Sequence, residues 1–223
     1  MSADALRVVI LVSGRGSNMQ ALLDAHAAGD LPIDIRAVIS NRPAAPALAR
    51  ARTAGVAAEV VDHQAFGDRE AFDRALVTAI DRHEPGLVVL AGFMRILTDG
   101  FIEHYHDRLL NIHPSLLPDL PGLHTHARAL AEGRREHGAT VHFVTPELDA
   151  GPAVLQARVP VLAGDDADTL AARVLRQEHR IYPRAVGWFA AGRLRFDGTT
   201  VWLDGNRLNG PVVDTEALDE ATP

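Results

Sequence analysis

Leu6-Arg7-Val8-Val9-Ile10-Leu11-Val12 runs straight into Ser13-Gly14-Arg15-Gly16-Ser17-Asn18, and this junction decides the fold. The first stretch is apolar at every position but Arg7. A half-wet strand would alternate, so this one is predicted to be covered on both faces. Gly14 and Gly16 give a tight turn, and the pattern of residues 18–28 predicts an amphipathic helix that Gly29 stops. Outward from this βα unit the same alternation repeats. Ile33–Ser40 reads as a strand, 47–54 as a helix, 57–61 as a weak strand, and 69–83 as a helix with Phe72, Leu76 and Ile80 on one face. Pro85 and Gly86 end it, and Leu87–Leu90 is a second fully apolar strand. Strand and helix in alternation predict a doubly wound α/β fold. Its sheet is mostly parallel, its amino-terminal half Rossmann-like, and helices cover both faces.

Further along, residues 98–105 predict a short helix and 109–112 a short strand ending in His113-Pro114. The proline-rich segment 114–126 reads as a loop that could close over a site. Residues 140–144 and 154–159 suggest an added antiparallel pair, and 168–191 a long helix that Pro183 restarts or kinks. Leu194–Phe196 and Val201–Leu203, around Asp197-Gly198, read as a hairpin. The expected organisation is a single domain over 1–210 and a frayed polar tail over 211–223.

Composition narrows the chemistry. The chain has 223 residues, 47% hydrophobic and 23% charged, the balance of a globular protein with a real core. It has no cysteine, which removes disulfides, thiolate zinc sites and thiol nucleophiles. All 22 basic residues are arginine, so a Schiff-base lysine and the Walker A lysine are absent too. The net charge of −7 carries no electrostatic footprint for nucleic acid. The start of the chain lacks a basic region ahead of its apolar run, and no stretch approaches the length of a membrane span. A cytoplasmic protein is expected.

Three places carry candidate chemistry. Gly16, Ser17 and Asn18 sit between a strand and a helix start, where backbone N–H groups and the helix dipole attract an anion. A phosphate monoester fits better than a dinucleotide, whose third glycine is missing. The alternative is a plain βα turn with Asn18 as helix cap. Asn111 and His113 share one side of a strand end, where open α/β sheets place ligands, and both can donate to a developing oxyanion. The alternative for His113 is packing under the proline loop. Asp149, before Ala150-Gly151-Pro152, is either a turn former or the carboxylate that orients His113. The His104-Tyr105-His106 and His124-Thr125-His126 clusters lack the spacing of a helical metal site, and no metal is expected.

Taken together, Ser13 to Asn18, Leu90-Ala91-Gly92-Phe93-Met94-Arg95-Ile96-Leu97, Asn111-Ile112-His113-Pro114-Ser115-Leu116-Leu117-Pro118, Pro121-Gly122-Leu123-His124-Thr125-His126 and Leu148-Asp149-Ala150-Gly151-Pro152 resemble one family. It is that of the folate-dependent phosphoribosylglycinamide formyltransferases of purine biosynthesis. The resemblance spans about residues 6–205. It implies the formyltransferase fold, 10-formyltetrahydrofolate as co-substrate, and glycinamide ribonucleotide as acceptor. It implies Asn111, His113 and Asp149 as catalytic residues, and Gly16, Ser17, Asn18, Pro114 and Glu178 on the nucleotide. For the folate it implies Arg69, Met94, Arg95, Ile96, Leu97, Asn111, Thr145, Pro146, Glu147, Leu148 and Asp149. Asp119, Pro146 and Leu175 depart from the usual pattern and bear on affinity.

The same scaffold serves a tRNA formyltransferase and a formyltetrahydrofolate hydrolase, whose additional domains are not expected in this chain. The rival functions are therefore a deformylase and a nucleotide-binding module without catalysis. Small-molecule substrates are expected as partners, with a monomer or homodimer and neither nucleic acid nor membrane.

Overall fold

The computed structural model describes residues 5–214. The junction forms as its sequence dictates: strand β1 is Leu6–Val12 and helix α1 is Ser17–Ala28. Val8, Ile10 and Val12 point into one core while Val9 and Leu11 point into another, all fully buried. Gly29, with φ 84°, ends α1 in the left-handed conformation that glycine adopts without a Cβ clash.

The chain continues through β2 (Ile33–Ser40), α2 (Pro46–Thr53), β3 (Ala57–Val60), α3 (Arg69–Asp81), β4 (Leu87–Leu90), α4 (Asp99–His104) and β5 (Leu109–His113). Then come α5 (Thr125–Ala131), β6 (Glu136–Phe143), β7 (Ala153–Pro160), α6 (Ala167–Ala190), β8 (Leu194–Phe196), β9 (Val201–Leu203), β10 (Asn206–Arg207) and β11 (Val212–Asp214). Eight strands form one sheet in the order β11-β7-β6-β5-β4-β1-β2-β3. It is parallel from β3 through β5, and the β5–β6 and β6–β7 pairs are antiparallel. The chain moves outward from β1 to β3, then crosses back to β4 on the other side of β1. That reversal opens a crevice at the carboxyl ends of β1 and β4, the usual ligand position in such sheets.

Helices cover both faces, as the doubly buried strands required. Apolar residues of α1, α2 and α6 pack on one face, and Phe72 and Leu76 of α3, Phe101 of α4 and Tyr105 just after it on the other. The Tyr182 hydroxyl of α6, fully buried, lies 2.9 Å from Leu90 O and 3.0 Å from Leu110 O. It thereby bridges the end of β4 and the first half of β5.

Five features differ from the sequence reading. Thr125 and His126, read as the end of the loop, begin α5, which runs on through 127–131, where no element was expected, and buries Ala129. β6 begins at Glu136 because pairing with β7 draws in residues of weak strand propensity; a Cβ on Gly138 would sit 2.0 Å from Ala157 O. Helix α6 runs on through Pro183, since a buried stripe from Leu170 to Val186 packs along its length and outweighs the lost hydrogen bond. The stretch expected to fray holds β11, which adds to the sheet edge parallel to β7, with Asp214 beside Arg184 at 3.3 Å. Beyond Asp214 the expected tail lies outside the described residues. β10 turns the expected hairpin into a three-stranded meander.

Candidate active site

The turn after β1 leaves α1 without a side-chain cap. The cap position is Gly16, at φ 74°, and no side chain bonds the first-turn amides. A Cβ there would lie 2.6 Å from Ala47 Cβ, so glycine is required by both conformation and packing. Asn18 is not the cap: it lies inside the helix, and its Nδ2 donates to Glu178 Oε2 at 2.6 Å across the α1–α6 contact. Burial pushes the Glu178 carboxyl above the usual range, and the bond from Asn18 opposes this. Asn18 Oδ1 is buried without a partner among the described residues. Four open amides at a helix start, beside a polar pair with an unused acceptor, are suited to an anion carrying hydroxyl groups.

At the end of β5 His113 meets Asp149 directly, and Asn111 is linked toward the same carboxylate through a residue that the sequence reading missed, His142. Antiparallel register sets Asn111 directly opposite His142. His142 Nδ1 lies 3.0 Å from Phe143 O, which can only accept, so the ring is a donor there. Burial holds this histidine below its usual range, against the pull of Asp149. The neutral ring then presents a bare Nε2, which takes an N–H from Asn111 Nδ2 at 3.0 Å. The second N–H of that amide remains for a ligand.

His113 is 6% exposed. Its Nε2 is 3.1 Å from Leu120 O and its Nδ1 is 3.5 Å from Asp149 Oδ2. Two acceptors face two ring nitrogens, an arrangement that a doubly protonated imidazolium satisfies. Asp149 holds φ 53°, a strained conformation that aspartate tolerates better than most residues. Its Oδ2 also accepts the Gly122 N–H at 2.8 Å, and its Oδ1 is 3.9 Å from His142 Nε2. Gly151, two residues on, has no room for a side chain: a Cβ would meet Phe143 O at 1.9 Å. The 114–126 loop therefore lies on the pair, through Leu120 O and Gly122 N. Pro114 begins that loop, and Ser115 N–H turns back to His113 O at 2.9 Å.

The remaining predicted contacts surround this centre unevenly. After β4 the chain is irregular, with Met94 and Ile96 exposed and Phe93 and Leu97 buried. Leu97 spends its side chain in the core, so only its backbone is open to a ligand. The Arg95 guanidinium stands 5.8 Å from the Phe72 ring centroid, and its Nε is buried without a partner among the described residues. Pro146, Glu147 and Leu148 are exposed and Thr145 half-buried. Arg69 opens α3 and lines a cavity of about 750 Å³ with Asp73, Thr98 and His104. No hydrogen bond or ion pair joins it to Asn111, His113 or Asp149 among the described residues.

The formyl transferase family pattern matches residues 6–186. The chain belongs to the formyl transferase family. It is 55% identical over 203 residues to phosphoribosylglycinamide formyltransferase of Escherichia coli, covering 91% of this chain and 96% of that one. The Haemophilus influenzae enzyme of the same name is 42% identical over 202 residues, 91% and 95% of the two chains. The structure of the Coxiella burnetii phosphoribosylglycinamide formyltransferase superposes with a TM-score of 0.91 at 48% identity, covering 95% of this chain and all of that one. The family's mostly parallel sheet is the one found here. Among the described residues no helix is long and apolar enough to cross a membrane.

Proposed function

We propose that this member of the formyl transferase family moves the formyl group of 10-formyltetrahydrofolate to the amine of glycinamide ribonucleotide, in purine biosynthesis. The observation that carries the reading is the joined set Asn111–His142 and His113–Asp149 at the carboxyl end of β5, next to the crevice between β1 and β4. It is supported by the long, full-length identity to enzymes that bear that name.

The nucleotide phosphate takes the open amides of Gly16, Ser17 and Asn18. The buried Asn18–Glu178 pair receives its sugar hydroxyls, and Pro114 borders the glycinamide arm. The folate lies between Met94–Leu97 and the 145–149 segment, its glutamate end toward Arg69. The amine attacks the formyl carbon, forming a C–N bond and a tetrahedral oxyanion. The free N–H of Asn111 and the His113 imidazolium donate to that oxyanion, each worth roughly 3–4 kcal/mol in the transition state. In this structure His113 Nε2 faces Leu120 O, so that contact is exchanged when the site fills. Collapse breaks the bond from the formyl carbon to the folate nitrogen. The amine's proton passes, through Asp149 and a water, to that nitrogen, and tetrahydrofolate leaves. Asp149 keeps His113 oriented and charged throughout. No covalent enzyme intermediate is required. The reaction needs no metal, and the protein works in the cytoplasm on small molecules as a monomer or homodimer.

The test is stoichiometry. With labelled 10-formyltetrahydrofolate, label reaches the nucleotide one-for-one with tetrahydrofolate formed, and turnover stops without the nucleotide. Label released as formate at the same rate with and without nucleotide makes the protein a deformylase. Tight nucleotide binding with no turnover makes it a binding module.

A further inference from the structure

Ser13 precedes Gly14 and by sequence belongs to the nucleotide turn. Its bonds lead elsewhere. Ser13 is 3% exposed, and its N–H donates to Gly92 O at 3.1 Å. Its Oγ accepts the Met94 N–H at 2.7 Å and donates to Asn41 Oδ1 at 2.6 Å. Asn41, fully buried at the end of β2, is tied in turn to His63. The hydroxyl hydrogen is thus committed to Asn41, which leaves the oxygen's lone pairs aimed at Met94.

The stretch from Gly92 to Thr98 is neither helix nor strand. Among the described residues, its backbone bonds to the rest of the protein are the two from Ser13 and, at its far end, two at Thr98: its N–H to Asp73 Oδ2 at 2.6 Å and its carbonyl oxygen accepting the Ile102 N–H at 3.1 Å. Among the described residues, Ser13 is therefore the one hydrogen-bond partner of the backbone of its leading half, which is otherwise held by the packing of Phe93. The nucleotide turn has other supports: Ala47 N–H on Gly14 O at 3.2 Å, Gln20 N–H on Gly16 O at 2.9 Å, and the Asn18–Glu178 bond. None of these passes through the Ser13 hydroxyl.

We infer that Ser13, although it sits in the nucleotide turn, is a positioning residue for the folate-binding segment, acting through the Met94 amide. This rests on the assignment of Met94–Leu97 to the folate. Removing the hydroxyl frees one amide of an irregular segment, which corresponds to roughly a tenfold loss in affinity for what that segment holds.

The experiment measures KM for each substrate in Ser13→Ala, Asn41→Ala and Arg95→Ala, with hydrogen exchange at the Met94 and Gln20 amides. Ser13→Ala is expected to raise the folate KM about tenfold and leave the nucleotide KM within twofold. Its Met94 amide exchanges faster while Gln20, in α1, stays protected. Asn41→Ala shifts the folate KM in the same direction by a smaller factor, and carries the test if Ser13→Ala does not fold. A rise confined to the nucleotide KM, equal rises in both, or an unchanged Met94 amide overturns the inference. Arg95→Ala separates it from the assignment beneath it. If Arg95→Ala also leaves the folate KM unchanged, the folate assignment has failed; if only Arg95→Ala raises it, the Ser13 role has failed.

Discussion

Asp149 does two jobs in this geometry, and two substitutions pull them apart. Its carboxylate lies 3.5 Å from His113 Nδ1, and the same Oδ2 anchors the 114–126 loop through Gly122 N–H at 2.8 Å. At an effective dielectric of about 20, unit charges at that first separation attract by about 5 kcal/mol before desolvation is counted. If roughly half survives, its loss lowers turnover about a hundredfold. Asp149→Asn keeps an acceptor oxygen for Gly122 and tolerates φ 53°, but carries no charge. Asp149→Ala removes both, and with them a charge-assisted bond of roughly 1.5–3 kcal/mol. Both variants should lose at least about a hundredfold in single-turnover formyl transfer. Only Asp149→Ala should release the loop, raising exchange at the Gly122 amide by roughly ten- to a hundredfold, while Asp149→Asn leaves that amide protected. An Asp149→Asn variant that transfers at the wild-type rate would show that the carboxylate only fastens the loop, and the proton and charge roles would fall.

Other predictions follow from the buried polar groups. His126 Nδ1 lies 3.1 Å from His137 Nε2, and burial lowers both, His137 to about 4, with His126 and His113 adding to the shift at His137. A folded value below the unfolded one means stability that is full above about pH 6.5 and is lost as the pH falls toward 4. Urea unfolding at pH 5 should therefore show roughly 2 kcal/mol less stability than at pH 7.5 from His137 alone. Equal stability at the two values contradicts the buried neutral pair. Gly151→Ala should cost several kcal/mol or block folding, because no Cβ fits against Phe143 O; a variant with the wild-type melting temperature refutes the packing. His142→Phe should lower kcat about five- to tenfold with both KM values near wild type, since one neutral bond of about 1 kcal/mol orients the Asn111 amide. An unchanged kcat means that Asn111 needs no such support.

What the sequence revealed depended on how local the determinant was. β1 and β4 were legible because strands buried on both faces need nearly continuous apolar runs, and β2 because its apolar residues alternate with Asp34 and Arg36 before closing on Ala37–Ile39. Gly16 and Gly29 marked their turns because both need positive φ. Asn111, His113 and Asp149 were legible as residue types, and the His113–Asp149 pairing was one of the two readings of Asp149; the link from Asn111 was not legible, because it passes through His142. That histidine matters only through the β5–β6 register, which no local pattern encodes. Asn18 was ambiguous for the same reason: capping is local, whereas its actual partner, Glu178, lies 160 residues away. β11 is short and sits in a polar stretch, and it forms because β7 leaves an edge for it to pair with. The long helix over 168–191 was legible; Pro183 does not restart it, because the buried stripe of α6 runs past that residue.

The central claim is that Asn111 and His113 act on one oxyanion during transfer to the nucleotide amine. Single-turnover formyl transfer by Asn111→Ala, His113→Ala and the double variant, with both dissociation constants measured separately, tests it most directly. Each single variant should lose about 10²–10³ in rate with both substrates still bound. The double variant should lose far less than the product of the two, since the residues act as a unit. Wild-type transfer by His113→Ala, or a double loss equal to the product of the singles, would contradict the shared oxyanion and leave His113 a histidine packed beneath its loop.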